Sequence, residues 1–297
     1  MNRFPFSFVA PNNKGAYKSA GKNVKYPPWM FPILFPASFS LFTSMDFQLK
    51  DKTILVTGAA SGLGKATALM LAAEGAKVAV NYRSRKEQAD AIVAEMKSRY
   101  GATGLAVYAD IASEDDVIKM FDATESKLGP IHALVNNAAY CPGPACADLS
   151  LEEFRKGIDI NLQGTFLCSR EAVRRMRERK TKGKIVNISS QAAFRGSESG
   201  KTSYDMAKTG LIGFTISLAR DCAPLGINVN CVAPGIMWTD IIASQIGADP
   251  EKYNRRIPLG RVGQPEEIAA MIVFLCSEQA CYMTGATVDV SGGLAMH

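Results

Sequence analysis

Histidine is nearly absent from this 297-residue chain: only His132 and His297 occur. That scarcity argues against a serine–histidine–aspartate triad and against a multi-histidine metal centre. The seven cysteines are an odd number and show no C-x-x-C spacing, so neither a disulfide framework nor a zinc site is expected. Several lie in apolar runs such as "TFLCS" and "VFLCS", the setting of buried free thiols, which points to a reducing, cytoplasmic compartment. Long apolar runs are missing too. The most apolar stretch, "WMFPILFPASFSLF", is 14 residues and is broken by Pro32 and Pro36, short of the ~20 that span a bilayer. Residues 1–44 have no Asp or Glu but carry Arg3, Lys14, Lys18, Lys22 and Lys25, so of the net charge of +6 only +1 remains for the rest. No basic stripe is left to argue for nucleic acid.

Residues 1–44 are rich in Pro, Phe, Ser, Asn and Lys and show no periodic pattern. They are expected to be a disordered or artefactual extension, with a targeting segment or a folded element as alternatives, and the folded domain is expected over 45–297. There, short runs dense in Val and Ile alternate with longer amphipathic stretches. "TILVT" (53–57), "KVAVNY" (77–82), "GLAVYA" (104–109), "IHALVN" (131–136), "KIVNIS" (184–189), "INVNCVA" (227–233) and "ATVDV" (286–290) read as strands covered on both faces. "SEDDVIKMFDATESKLG" (113–129) reads as a helix capped by its serine, with Val117, Phe121 and Leu128 on one face. The alternation predicts a single α/β domain, a doubly wound, Rossmann-like parallel sheet of about seven strands with helices on both faces.

"TGAASGLG" (57–64) follows the first strand and opens the first helix. Such a turn brings backbone N–H groups and a helix N-terminus against a pyrophosphate, and Gly58, Gly62 and Gly64 remove the Cβ atoms that would obstruct it. The spacing is neither the dinucleotide G-x-G-x-x-G nor a Walker loop. Strand two ends "NYRSR". An NAD-binding protein places an acid here for the ribose 2′-hydroxyl; Tyr82 stands there instead, followed by Arg83 and Arg85, which favours NADP, with NAD possible. Asp110, after strand three, is a candidate for the adenine amino group or a cap before "SEDD".

"SYDMAKTG" (203–210) sets Tyr204 and Lys208 four positions apart, one helical turn. A free phenol, pKa about 10, is a poor base at neutral pH, and a nearby ammonium favours its ionised form. With "TGAASGLG", "NNAA" (136–139), Asn161 in "DINLQGT", Ser190 in "NISS", "PGIMWT" (234–239) and "TVDVSGG", the ordered set resembles the short-chain dehydrogenase/reductases over residues 46–297. Within that family the chain is most similar to 3-oxoacyl-carrier-protein reductases and glucose dehydrogenase-like members.

The resemblance implies an NADP(H)-dependent oxidoreductase that moves hydride between nicotinamide and a carbonyl or secondary alcohol. Tyr204 would be the general acid/base and Lys208 its partner, also contacting the nicotinamide ribose. Ser190 would hold the substrate oxygen, with Ser189 the neighbouring alternative, and Asn161 a water. Cofactor contacts are implied for Gly58, Ser61, Gly62, Leu63 and Gly64, then Tyr82, Arg83, Asp110, Ile111 and Asn137, and finally Pro234, Gly235, Ile236 and Thr239. Asn136 and Asn137 are expected to hold the sheet together. Family members assemble as tetramers through the helices containing 150–180 and 203–224. No metal, nucleic acid or membrane partner is implied.

The chain departs from the family at three points. Ala139 replaces a glycine, the Ser190–Tyr204 separation of 14 is one longer than expected, and His132 replaces an acid, where a structural role is expected. For substrate, "IMWTDIIASQIGADPEKYNRRIPLGRVGQP" (236–265) reads as a lid. Trp238, Ile241, Ile242 and Tyr253 offer apolar contact, Arg255 and Arg256 charge, and the loop 194–203 adds Arg195, Glu198 and Lys201. A carrier-protein substrate would require a basic docking patch, for which "REAVRRMRERKTKGK" (170–184) supplies cations, whereas Leu225 replaces an expected base. The alternative to an enzyme is a nucleotide-binding regulator of the same fold.

Overall fold

A computed structural model describes residues 17–19, 22–24, 46–141, 144–197, 200–239 and 243–296. The chain divides into two compact units, Met1–Asp46 and Phe47–His297. In the first, two three-residue strands, Tyr17–Ser19 and Lys22–Val24, pair antiparallel. The rest of the expected 1–44 extension lies outside the described residues.

The second unit is built on seven strands: β1 (Thr53–Val56), β2 (Lys77–Tyr82), β3 (Gly104–Tyr108), β4 (Ile131–Asn136), β5 (Gly183–Ile188), β6 (Ile227–Pro234) and β7 (Thr287–Val290). Their order is β3-β2-β1-β4-β5-β6-β7 and every pairing is parallel. The expected doubly wound sheet is thus present, with strand ends within a residue of expectation for β1 and β7.

Alternation along the strands builds two cores. Ile54, Val56, Val78, Val80, Val186 and Ile188 face one layer; Leu55, Ala79 and Ile185 face the other. The first layer is covered by α1 (Gly62–Ala73), α2 (Lys86–Tyr100) and, late in the chain, Pro265–Cys276; the second by α3 (Glu114–Leu128) and, further on, Gly164–Arg179 and Thr202–Cys222. Burial on both faces explains why the strands are apolar throughout instead of alternating with polar residues. In α3 the Ser113 hydroxyl accepts from the Asp116 N–H and Val117, Phe121 and Leu128 are buried, as the pattern predicts.

The remaining helices are α4 (Leu151–Ile158), α5 (Gly164–Arg179), α6 (Ala192–Arg195), α7 (Thr202–Cys222), α8 (Ala243–Ala248), α9 (Pro250–Asn254) and α10 (Pro265–Cys276). A π-turn, Asp159–Gln163, joins α4 to α5. In a parallel sheet all strand C-termini share one edge, and the break in strand order between β1 and β4 opens a crevice there.

Candidate active site

A cavity of about 380 Å³ occupies that crevice, a size suited to a small ligand or cofactor. The glycine turn forms its floor. Gly58 has φ +61°, and a Cβ on it would lie 2.7 Å from the Ala138 Cα; one on Gly64 would lie 2.6 Å from both the Asn137 Nδ2 and the Gly58 carbonyl. These glycines therefore serve close packing within the protein, besides keeping the cradle open. Asn137 closes the fit by donating to the Thr57 and Gly58 carbonyls at 2.9 and 3.0 Å. Ser61 stands at the N-cap of α1 without a side-chain cap bond. Its hydroxyl and the first N–H groups of the helix are thus left to the crevice, a setting that favours an anion.

Asn81 completes the turn, and sequence reasoning missed it. Its Oδ1 accepts from the Gly58 N–H at 3.0 Å, while its Nδ2 reaches the Val107 and Ala109 carbonyls. The available signal was one fully buried amide in the otherwise apolar strand "KVAVNY".

Leu63, Tyr82, Arg83, Asp110, Ile111 and Thr239 also line the crevice. Tyr82 meets Tyr108 edge to face at 6.1 Å, and no carboxylate stands at the end of β2. Arg83 lies 3.8 Å from Asp110, whose other oxygen accepts from the Ala112 N–H at 3.0 Å. Asp110 thus both turns the chain and holds the arginine.

The proton-handling candidates meet at the neighbouring strand ends. Tyr204 and Lys208 lie on the first turns of α7, and the Ser190 hydroxyl, which accepts from the Ala192 N–H at 3.1 Å, stands close enough to the Tyr204 phenol to favour its ionised form. Cys141, next to the crevice-lining Tyr140, is near enough to act electrostatically on both Tyr204 and Lys208. Nicotinamide-pocket candidates follow β6. Pro234 is its last residue, Gly235 donates to the Val290 carbonyl at 3.0 Å, and the Ile236 carbonyl accepts from Gly263. These three shape the margin rather than the cavity lining, which Thr239 reaches.

One electrostatic expectation is corrected. The Lys208 ammonium is not aimed at the phenol oxygen; it donates to the Ile188 carbonyl at 2.7 Å and lies 5.5 Å from the Tyr204 ring centroid. Burial pushes Tyr204 up to about 12, with Cys141 adding to the rise and the nearby Ser190 hydroxyl opposing it. Burial likewise pulls Lys208 down to about 8. Desolvation is the largest cause of both shifts, and it disfavours the charged form of each group.

Asn161 sits in the π-turn, fully buried, with its side chain committed to protein. Its Oδ1 accepts from the Tyr140 N–H at 3.0 Å, and its Nδ2 donates to the Tyr140 and Gly157 carbonyls at 2.6 and 2.8 Å. It clamps the loop that leaves β4. Asn136 bridges Ser169 and Asn187, each at 2.9 Å, as expected of a sheet-holding amide. His132 is structural too: its Nδ1 accepts from the Thr53 N–H at 3.2 Å, and burial holds its pKa down.

Other expectations change. Trp238 and Tyr253 pack on Ile257, Val262 and Leu294 in a small satellite core, and Arg255 pairs with Glu251 at 3.8 Å. Ile241, Ile242 and Glu198 lie outside the described residues. The basic segment 170–184 is no open patch at the crevice. Arg175 reaches Asp122 at 2.7 Å, Glu125 at 2.9 Å and Glu171 at 2.7 Å, while Arg170 binds Glu114 and Arg179 binds Glu125. Moreover, α5 ends just before β5 begins, so its basic terminus lies at the sheet edge opposite the crevice. Among the described residues no cluster suits a metal ion, and no helix is long and apolar enough to cross a membrane.

Comparison with known proteins agrees with this geometry. The family model described as "Enoyl-(Acyl carrier protein) reductase" matches residues 58–295. A 3-oxoacyl-[acyl-carrier-protein] reductase of Synechocystis is 43% identical over 249 residues, covering 84% of this chain and 98% of that protein. One of Aquifex aeolicus is 40% identical over 250 residues, covering 84% and 100%. A short-chain type dehydrogenase/reductase from Mycobacterium marinum superposes with a TM-score of 0.80 at 32% identity, covering 85% and 98% of the two chains. With its glycine turn, its crevice and its serine–tyrosine–lysine cluster, the chain belongs to the short-chain dehydrogenase/reductase family and is an oxidoreductase.

Proposed function

We propose that the chain uses NADPH to reduce the keto group of a 3-oxoacyl thioester, with Tyr204 as the proton donor. The observation that carries this is the Ser190 hydroxyl standing by the Tyr204 phenol next to the crevice, with Lys208 buried one turn further along the same helix. The names of the relatives support the substrate class.

The crevice fits the cofactor: an uncapped helix N-terminus faces it and Arg83 and Arg85 line it where an NAD-binding protein has a carboxylate. Bound NADPH would supply the hydride. The protein's part is to position the substrate oxygen and give it a proton. Ser190 would donate to the oxygen as negative charge develops, a role suited to a fixed donor. Tyr204, held protonated by burial, has the form a reductase requires of its acid. Lys208 and Asn161 would act behind it, the one on the cofactor ribose and the proton path, the other by fixing the crevice wall at Tyr140.

The experiment is NADPH consumption by wild type and Tyr204→Phe against 3-oxoacyl-carrier-protein, 3-oxoacyl-CoA, free ketones and sugars. Turnover of the thioesters, reduced by about 10³-fold or more in the variant, is expected. Cofactor binding without consumption of any substrate would instead mark a nucleotide-binding regulator.

Leu225 favours a second reading, in which a small free ketone or alcohol replaces the carrier-bound substrate. It is 37% exposed where a base was expected, and the basic end of α5 lies at the sheet edge opposite the crevice. Preference for free ketones over both thioesters would establish that reading. The seven free thiols support a cytoplasmic enzyme. The exposed Phe166, Met206 and Ile216 on α5 and α7 support a homotetramer built on those helices.

A further inference from the structure

Strand β5 and the residue after it are fastened to α7 by three consecutive links. The Asn187 Nδ2 donates to the Thr215 hydroxyl at 2.9 Å. The Ile188 carbonyl accepts from the Lys208 ammonium at 2.7 Å. The Ser189 hydroxyl donates to the Lys208 carbonyl at 2.7 Å. Lys208 is therefore gripped at both ends, backbone and ammonium, by two adjacent residues.

We infer that Ser189 is a positioning residue for proton transfer. It sets the rotation and height of α7 against β5, and so the point at which Lys208 and Tyr204 present their polar ends. The Ser189 hydroxyl is committed to the Lys208 carbonyl, so Ser189 does not share the substrate role of Ser190. It is 2% exposed, and while its N–H donates to the Val232 carbonyl at 2.8 Å, its hydroxyl runs to the helix. The Lys208 carbonyl belongs to a turn of α7 and already has a helical partner available. The Ser189 bond is thus not needed to satisfy that oxygen; its effect is to fix where the turn sits. Without it the lysine keeps only its flexible end attached, and four rotatable bonds separate that end from the helix.

This inference rests on the assignment of Tyr204 and Lys208 to proton transfer, and the experiment separates the two. The kcat–pH profile of NADPH-dependent ketone reduction is measured for wild type, Ser189→Ala, Ser189→Thr, Thr215→Val and Tyr204→Phe, with thermal melts of each. Ser189→Ala is expected to lower kcat about 5–30-fold, to leave the KM for the ketone within about twofold, and to shift the alkaline limb of the profile. Ser189→Thr, which keeps the hydroxyl, should restore the profile. Thr215→Val removes a comparable buried link two turns from the lysine; it should lower the melting temperature with the profile unchanged. If Ser189→Ala melts lower but keeps the wild-type profile, Ser189 is only structural and the proposal falls. If Tyr204→Phe retains turnover, the underlying assignment falls instead.

Discussion

The Lys208 ammonium lies 2.7 Å from the carbonyl oxygen of Ile188, and 98% of the lysine is withdrawn from solvent. A cation so placed loses hydration that one carbonyl cannot replace, and its pKa falls to about 8. The lysine is thus kept at a cost to stability.

Lys208→Met should therefore stabilise the protein at neutral pH while abolishing turnover. The folded pKa of about 8 lies below the ordinary 10.5. Between those values the unfolded chain binds more protons than the folded one, so wild-type stability rises with pH across that window. At pH 7 the variant should be more stable, by on the order of 1–3 kcal/mol, and the gap should close as pH rises from 8 to 10.5. Urea melts at three pH values test this; a variant less stable at pH 7 would contradict it.

Arg83→Ala should raise the KM for NADPH by about tenfold or more and leave that for NADH nearly unchanged, because only the 2′-phosphate calls for the guanidinium. Steady-state kinetics with both cofactors decide the matter. Equal changes would mean that Arg83 stacks on adenine without discriminating.

Gly64→Ala should damage both the fold and the cofactor site. The added methyl would approach the Gly58 carbonyl and the Asn137 amide to 2.6 Å, and backbone cannot swing aside as a surface side chain does. A loss of about 1–3 kcal/mol is expected, with weakened NADPH binding in a fluorescence titration. Unchanged affinity would show that the turn is not the cradle.

Arg175→Met should cost roughly 1–3 kcal/mol, since it leaves Glu125, only 9% exposed, with one fewer cation. Burial alone would raise the Glu125 pKa, but Arg179, Arg175 and the Ile131 N–H hold it below the ordinary 4.5. That stabilisation is present above pH 4.5 and lost as pH falls through the depressed folded value, so the deficit should shrink in acid. Turnover of a carrier-bound substrate should be unaffected; a large fall would restore α5 as a docking surface.

The fold was legible because its signals are local. Val- and Ile-dense runs, the serine cap of α3 and the glycine turn each lie within a few residues, and burial on both faces leaves a repeating mark. Tyr204 and Lys208 were legible for the same reason, being one helical turn apart. What escaped depends on strand order. Asn81 matters because β1 lies beside β2, so that its amide meets Gly58, 23 residues away. Nothing near Arg175 in the sequence announces Asp122 and Glu125, some 50 residues earlier. The direction of the Lys208 side chain was hidden because it is decided by a carbonyl on a strand 20 residues upstream and by the desolvation that a packed helix imposes.

Both polar backbone groups of Tyr140 are tied to Asn161. The segment beyond therefore departs from a fixed anchorage, however long it becomes before α4. Lengthening such a segment costs little, because closure entropy grows only with the logarithm of its length. Insertions after Tyr140 should accordingly retune which molecules enter while the machinery beneath keeps its alignment.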